Sequence, residues 1–321
     1  MAIEHWDAVP LPLAPADLPG DLTRTQLREQ LRDASTAVVL RHRLAGQLAA
    51  LHEQGRRVRG HEDGSVHAMR IAARRLRSAL TTFGPVLEGG TPDGVRDELR
   101  WLGQELSPAR DAQVLRERLL AMLEAQPPEL VLGPVASRID DGLRGAERRG
   151  RERALRALED ERSARLLDAL DQLVLEPPLG ARAQEPARDL LPDLLRRDLE
   201  RLRRAVEAAE EREGQDRDLA LHEARKKAKR LRYAAEAAAP VLGKRADKLV
   251  RRATAVQRSL GEHQDSVVSR ALLREYGAQA HGEAENGFTF GRLHALEEAR
   301  GEAAVRDFEK AWRRIRTKSW V

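Results

Sequence analysis

The stretches HAMRIAARRLRSALTTFGPVL, residues 67–87, and HEARKKAKRLRYAAEAAAPVL, residues 222–242, decide the fold of this chain. They align without a gap at a constant offset of 155 residues, which pairs His67 with His222. The closing Pro-Val-Leu is identical in the two copies. A self-similarity that keeps its register over a whole segment indicates a duplicated structural unit.

The repeat extends beyond these two stretches. Residues 106–111 (LSPARD) match residues 260–265 (LGEHQD) after a slip of one residue. We therefore predict two homologous halves, residues 22–175 and 186–321, that arose by internal duplication. Residues 1–21 are predicted to form an irregular N-terminal arm, because this segment contains four Pro.

The composition predicts an all-α fold. Hydrophobic residues make up 41% of the 321 residues, but aromatic residues make up only 3%, so the core must consist mainly of Leu, Ala and Val. Leu and Ala, with the abundant Arg and Glu, favour helices, and the strand-favouring residues Ile, Tyr, Phe and Trp are scarce. Pro and Gly divide each half into about four helices, with breaks in the second half predicted at residues 240–243 and near Gly261. Short loops between long helices imply two pseudo-symmetric antiparallel four-helix bundles.

On a helical wheel, each repeat helix carries a basic stripe opposite an apolar stripe. The basic stripes contain His67, Arg70, Arg74 and Arg77 in the first copy and His222, Arg225, Lys229 and Arg232 in the second copy. The apolar stripes contain Met69, Ala72, Ala73, Leu76, Ala79, Leu80 and Phe83 in the first copy, and Ala224, Ala228, Leu231, Ala235 and Ala238 in the second. Arg75 lies at the flank of the first helix, and Lys227 lies at the edge of the second apolar stripe.

The basic stripes predict an anion-binding site. A solvated helix surface usually alternates positive and negative charges, whose i,i+4 pairs stabilise the helix slightly. Here the stripe has a single sign, and like charges at this spacing repel each other, so the arrangement costs stability unless an anion neutralises it. The guanidinium group matches two phosphate oxygens at once, so stacked Arg side chains favour phosphate.

The two repeat helices resemble the CHAD family, the conserved-histidine α-helical domain. The motif V-H-x-M-R-x-x-x-R-R-L-R-x-x-L-x-x-F covers residues 66–83, and L-H-x-x-R-K-x-x-K-R-L-R-Y-x-x-E covers residues 221–236. Including the LSPARD and LGEHQD segments, the resemblance covers roughly residues 25–318. It implies two pseudo-symmetric helical bundles around a basic central groove. It also implies binding of inorganic polyphosphate and association with polyphosphate granules.

The resemblance also implies which residues bind. The histidines of the family correspond to His67 and His222. The basic positions correspond to Arg70, Arg74, Arg75, Arg77, Arg225, Lys226, Lys229, Arg230 and Arg232. We also expect Arg41 and Arg196, at matching places on the preceding helices, to contribute.

The accessory segments depart from the family pattern in the first half. Ser107-Pro108 stands where the family has a Gly-Ala-type pair, and Arg110 of the first copy is Gln264 in the second. These departures leave open whether the two halves bind equally. Asp111 and Asp265 recur near the predicted groove, and we interpret them as partners that orient the arginines.

Several other functions compete with polyphosphate binding. Nucleic acid is the main alternative, because basic helices bind phosphate backbones; single-strand binders, however, add aromatic platforms, and this chain has ten aromatic residues. An acidic partner protein is a third possibility.

A metal site is less favoured, because positions three and seven after each histidine are Arg or Lys. The best candidate for a metal ligand is His263, near Glu262 and Asp265. The sequence lacks the phosphate-binding and nucleophile motifs of common enzymes, so no catalysis and no cofactor are predicted.

The sequence further predicts a cytoplasmic protein, located at polyphosphate granules if the resemblance holds. It contains no Cys, which fits a reducing compartment. No apolar run is long enough to predict a membrane span. The E-x-E-x-K signature of the triphosphate-tunnel domain, which many CHAD proteins carry, is absent from this sequence, so a stand-alone binding module is expected.

Overall fold

The structure, a computed structural model, describes residues 24–90 and 94–316. The predicted N-terminal arm, residues 1–21, lies outside the described residues. Within them the chain forms eleven α-helices and no β-strand. The helices are α1 (Arg24–Leu31), α2 (Thr36–Arg59), α3 (Ser65–Thr82), α4 (Val95–Glu105), α5 (Ser107–Glu124), α6 (Val135–Glu159), α7 (Glu161–Leu175), α8 (Ala187–Glu210), α9 (Gly214–Leu242), α10 (Lys244–Gly282) and α11 (Phe288–Arg316). The predicted all-α class is confirmed.

The repeat helices are α3 and α9, and both predicted apolar stripes are buried. Every residue named for the two stripes is at most 5% exposed. Burial of these small and medium aliphatic side chains supplies the main stabilisation, at roughly 25 cal/mol for each Å² removed from water. Helices α3 and α9 also contact each other, so their polar faces border the same region of the molecule.

The helix break predicted at residues 240–243 is confirmed, and it falls at Gly243, the last residue of that range. Helix α9 continues through Pro240 to Leu242, whereas α3 ends at Thr82, because Gly84 weakens the helix at the place where the second copy has Ala239. Pro240 is tolerated because it lies in the last turn of α9, which continues for only two residues beyond it.

Helix α10 runs unbroken through Gly261, so the break predicted there is wrong. The matching place in the first half is interrupted, because α4 ends at Glu105 and α5 begins at Ser107. Pro108 occupies the first turn of α5, where the missing N–H costs nothing, and it prevents one continuous helix. One 39-residue helix in the second half therefore corresponds to two helices in the first.

Buried apolar residues form two clusters, and each draws helices from both predicted halves. The smaller cluster lies between α5, the start of α6, the end of α10 and the start of α11. The larger cluster contains α2, α3, α4, α7, α8 and α9 with the remaining ends of α6, α10 and α11. The division of the chain into residues 22–175 and 186–321 stays a prediction, as does the duplication. None of the described helices has an apolar stretch that could cross a membrane.

Helix α6 approaches the start of α5 through a glycine. A Cβ atom on Gly150 would lie 2.7 Å from Cα of Ala109 and 2.9 Å from the carbonyl carbon of Pro108. These are backbone atoms, so no side chain can move aside. The close approach fixes the segment that begins with Ser107 and carries Asp111, an acidic residue next to the basic face of α3.

We expect Gly150→Ala to destabilise the protein by about 1–3 kcal/mol, the usual cost of forcing an extra carbon into a packed site. The matched control is Gly46→Ala in the middle of α2, where a Cβ would meet nothing within 4 Å. Since Ala is the better helix former, the control should raise stability by about 0.5–1 kcal/mol. Urea unfolding of both variants measures the two changes; equal effects would contradict the close approach.

Candidate anion-binding groove

A groove with a volume of about 600 Å³ lies between α3, α4 and the middle of α9. Predicted site residues supply most of its charge. Those that line it are Arg70, Arg74, Arg77, His222, Arg225, Lys226, Lys229 and Arg230. The structure thus brings basic residues of both repeat helices into one concave surface.

Four of the predicted cations that line the groove, Arg74, Arg77, Arg225 and Lys229, form no ion pair with an acidic side chain in the described part of the chain. The Nε atoms of Arg74 and Arg225 are buried and have no hydrogen-bond partner there either. Burial lowers the pKa of Arg74, and the neighbouring Arg70, Arg225 and Arg232 lower it further. The groove therefore has more N–H donors than acceptors and more positive than negative charge around Arg74 and Arg225.

The three other predicted cations that line the groove have acidic partners. Nη1 of Arg70 lies 2.7 Å from Oδ1 of Asp111, as expected for a carboxylate that orients the arginine. Nζ of Lys226 lies 2.6 Å from Oε1 of Glu223, and this pair is half exposed. Nη2 of Arg230 lies 2.8 Å from Oδ1 of Asp198, whose side chain is 1% exposed. Asp198 also pairs with Arg201 at 2.8 Å, so this one carboxylate offsets only part of the charge of Arg230.

Arg75 and Arg232 do not line the groove and instead gather around Glu236. The distance from Nη2 of Arg75 to Oε2 of Glu236 is 3.4 Å, and that from Nε of Arg232 to Oε1 is 3.7 Å. Cζ of Arg232 also lies 4.5 Å from the ring centroid of Tyr233. Arg43, which the sequence pattern did not identify, approaches the same carboxylate at 3.9 Å.

The two histidines occupy different surroundings. His222 lines the groove, and its Nδ1 lies 2.8 Å from Oε1 of Gln264. His67 lines a neighbouring cavity with Arg110, and its Nδ1 is buried without a partner in the described residues. Burial, and then nearby Arg and Lys side chains, lower the pKa of both imidazoles. Both shifts favour the neutral form of the imidazole.

Lys229 is the most perturbed cation of the groove. Burial, reinforced by Arg225, Arg74 and Arg70, lowers its pKa from 10.5 to about 7. The carboxyl group of Asp265 faces the same region, and burial raises its pKa against the opposing influence of Arg225. Burial of the amine, and after it the three neighbouring arginines, therefore disfavour the charged form of Lys229.

The remaining predicted residues lie elsewhere. Arg196 pairs with Asp193 at 2.5 Å on the outer face of α8, and Arg41 is exposed on α2 and does not line the groove. Lys227 and Arg100 do line it, although neither was identified from the sequence. Lys227 was set aside because it lies at the edge of the apolar stripe. Arg100 lies on α4, outside the two repeat helices α3 and α9, and no sequence signal identified it.

The histidine that was the best sequence candidate for metal binding is within hydrogen-bond distance of a carboxylate. Nε2 of His263 lies 2.9 Å from Oδ1 of Asp218, while Glu262 pairs with Arg118 at 2.7 Å. Among residues 24–90 and 94–316, no three His, Asp or Glu side chains lie close enough together to hold a metal ion.

Contacts recur at matching positions of the two repeat copies. Arg70 lies beside Ser107 and Asp111, and Arg225 lies beside Gly261 and near Asp265. The neighbours of the two arginines, Ser107 with Asp111 and Gly261 with Asp265, lie in the LSPARD and LGEHQD segments, which align in the sequence. The recurrence fits the predicted duplication.

Comparison with known proteins identifies related folds. The family model of the CHAD domain matches residues 42–274. The solved structure of PptA from Streptomyces chartreusis is similar, with a TM-score of 0.71 and 25% identity, over 87% of this chain and 100% of that chain. The crystal structure of the CHAD domain from the plant Ricinus communis has a TM-score of 0.62 at 24% identity, over 90% of each chain.

Curated relatives match in sequence as well. The uncharacterized proteins MT2285 and Rv2226, from two strains of Mycobacterium tuberculosis, are each 39% identical over 268 residues. The match covers 81% of this chain and 51% of each relative. The chain thus spans about half the length of the curated relatives it matches.

The pKa of Lys229 predicts that anion binding takes up a proton. A polyanion favours the charged lysine and raises its pKa, so at pH 8 the free groove holds a mostly neutral lysine and the bound groove a charged one. We expect uptake approaching one proton at pH 8, measured by calorimetry with inorganic polyphosphate in buffers of different ionisation enthalpy. Affinity should fall as pH rises above about 7.

Lys229→Arg is the matched control, because arginine stays charged throughout this range. The variant should bind without this proton uptake and with a flatter pH dependence above pH 7. Equal proton uptake by wild type and variant would assign the proton to another group.

Proposed function

The chain belongs to the CHAD domain family, and on that premise we propose that its groove binds inorganic polyphosphate without catalysing a reaction. One observation carries the proposal: Arg74, Arg77, Arg225 and Lys229 converge from both repeat helices on one concavity, and no acid of the described chain pairs with them. Polyphosphate supplies a negative charge at every phosphoryl group, so it can neutralise all of them along one chain.

The shape and chemistry of the lining favour polyphosphate over single-stranded nucleic acid. Single-strand binders stack successive bases on aromatic side chains. Tyr233 is the one aromatic residue among those that line the groove, and it is 5% exposed, with its ring covered by Arg232. A lining made of guanidinium and ammonium groups suits a ligand that has phosphates and no bases.

Location at polyphosphate granules is part of the same proposal. A protein whose groove binds the polymer would accumulate wherever the polymer is concentrated. The same groove variants that weaken binding in solution should then weaken granule association in cells.

We expect Arg74→Gln and Arg225→Gln each to weaken polyphosphate binding by about tenfold or more, because each removes a charged group that binds phosphate. The double variant should also reduce the slope of log Kd against log salt by roughly 0.7 for each arginine removed. Arg165→Gln is the matched control, since Arg165 is 70% exposed on α7 and pairs with Glu161. Titration with polyphosphate of one defined chain length, with helix content checked by circular dichroism, measures these effects; unchanged binding by the folded double variant would show that the groove is not the binding site.

Competition separates the two polyanion classes. Bound polyphosphate should resist displacement by duplex DNA or by RNA at equal phosphate concentration, and polyphosphate should displace either nucleic acid. The reverse order of displacement would identify a nucleic-acid-binding protein.

A further inference from the structure

Outside the groove, three arginines share one carboxylate. Arg43, Arg75 and Arg232 come from α2, α3 and α9, and each approaches Glu236 within 3.9 Å. Together these four side chains carry two surplus positive charges, and we call them the Arg43 cluster. The Nε atoms of all three arginines and Nη2 of Arg43 are buried without a hydrogen-bond partner in the described residues. One carboxylate cannot satisfy this many donors.

The equivalent place in the second half has the opposite charge. Residue 43 aligns with residue 198 at the offset of the repeat, so Arg43 corresponds to Asp198. Asp198 accepts from Arg230 and Arg201 at 2.8 Å and from the hydroxyl of Thr82 at 3.0 Å. Arg230 in turn corresponds to Arg75. Arg230 and Arg201 therefore share the one carboxylate of Asp198, and Nε of Arg230 is still buried without a hydrogen-bond partner in the described residues. In the first half an arginine, Arg43, stands where the second half has that acid.

The Arg43 cluster adjoins the groove and reaches solvent. Tyr233 lines the groove, and it lies within electrostatic reach of both Arg43 in the cluster and Arg74 in the groove. The side chain of Arg75 is 35% exposed, and those of Arg232 and Glu236 are 22% and 21% exposed. A phosphoryl oxygen can therefore reach the guanidinium groups from outside without displacing the core.

We propose that the Arg43 cluster is a separate phosphoryl-binding subsite, which makes the two ends of the polyphosphate site chemically unequal. The carboxylate of Glu236 leaves guanidinium N–H groups of the three arginines without an acceptor. These N–H groups can donate to phosphate oxygens. Glu236 is the internal anion that holds the three arginines together while the subsite is empty. At the matching place of the second half, Asp198 supplies a carboxylate where the first half has Arg43. This inference rests on the proposed function and adds a subsite outside the groove.

The test compares Arg43→Gln with Arg56→Gln. Both residues lie on α2, and Arg56 is 42% exposed and pairs with Glu53. We expect Arg43→Gln to weaken binding of polyphosphate of one defined chain length by about tenfold and to reduce the salt slope by roughly 0.7. Arg56→Gln should match wild type. Because Arg43 is largely buried, Arg75→Gln serves as the second variant, and it should show the same weakening if Arg43→Gln fails to fold.

The opposite change tests the role of the internal anion. Glu236→Gln leaves three arginines without a carboxylate, so we expect tighter polyphosphate binding and a steeper salt slope than wild type. Glu161→Gln is the control, because it removes one negative charge from an exposed pair on α7. If wild type and the Arg74 and Arg225 variants behave as proposed but Arg75→Gln and Glu236→Gln both bind like wild type, the Arg43 cluster is a structural ion network only. If wild type does not bind polyphosphate at all, the proposed function itself is wrong.

Discussion

The structure depends on packing two cationic helices against each other without enough acid to neutralise them. Helices α3 and α9 are held by buried aliphatic side chains, among them Met69, Leu76 and Leu231, each 0% exposed. That burial is favourable, and it keeps the basic faces close together although like charges repel. The pKa of Lys229 is lowered first by burial and then by Arg225, Arg74 and Arg70, so repulsion between the cations is one part of that shift. Apolar packing on one face of each helix thus maintains an unfavourable charge arrangement on the other.

Much of the fold could be predicted from the sequence, since apolar periodicity and repeat register report directly on which side chains are buried. The same periodicity located Arg74, Arg225 and Lys229 on one face. It could not show which cations are already paired, because Asp198 and Glu236 reach their arginine partners from distant parts of the chain or across helices. Arg43 and Arg100 were missed for a related reason: each lies on a neighbouring helix outside the repeat motif, and only tertiary packing brings it to the basic region.

The two halves diverge most where backbone chemistry differs. Pro108 divides the first copy into α4 and α5, whereas the matching region of α10 is continuous through Gly261. The interruption allows the chain to bring the carbonyl oxygen of Ser107 and the carboxylate of Asp111 to Arg70. At the continuous counterpart, Gly261 instead leaves space for Arg225, with a Cβ position 3.5 Å from its Nε. The matching arginines therefore differ in free charge, although their sequence motifs align closely.

The unbroken course of α10 has a mechanical consequence. Its first half, around Leu249 and Val256, belongs to the larger apolar cluster, and its second half, around Leu273, belongs to the smaller one. Helix α10 is continuous and packs in both apolar clusters, so it cannot detach from one of them without exposing apolar side chains to water. We therefore expect the two clusters to unfold together. The continuous helix α10 also limits how far they can rotate relative to each other.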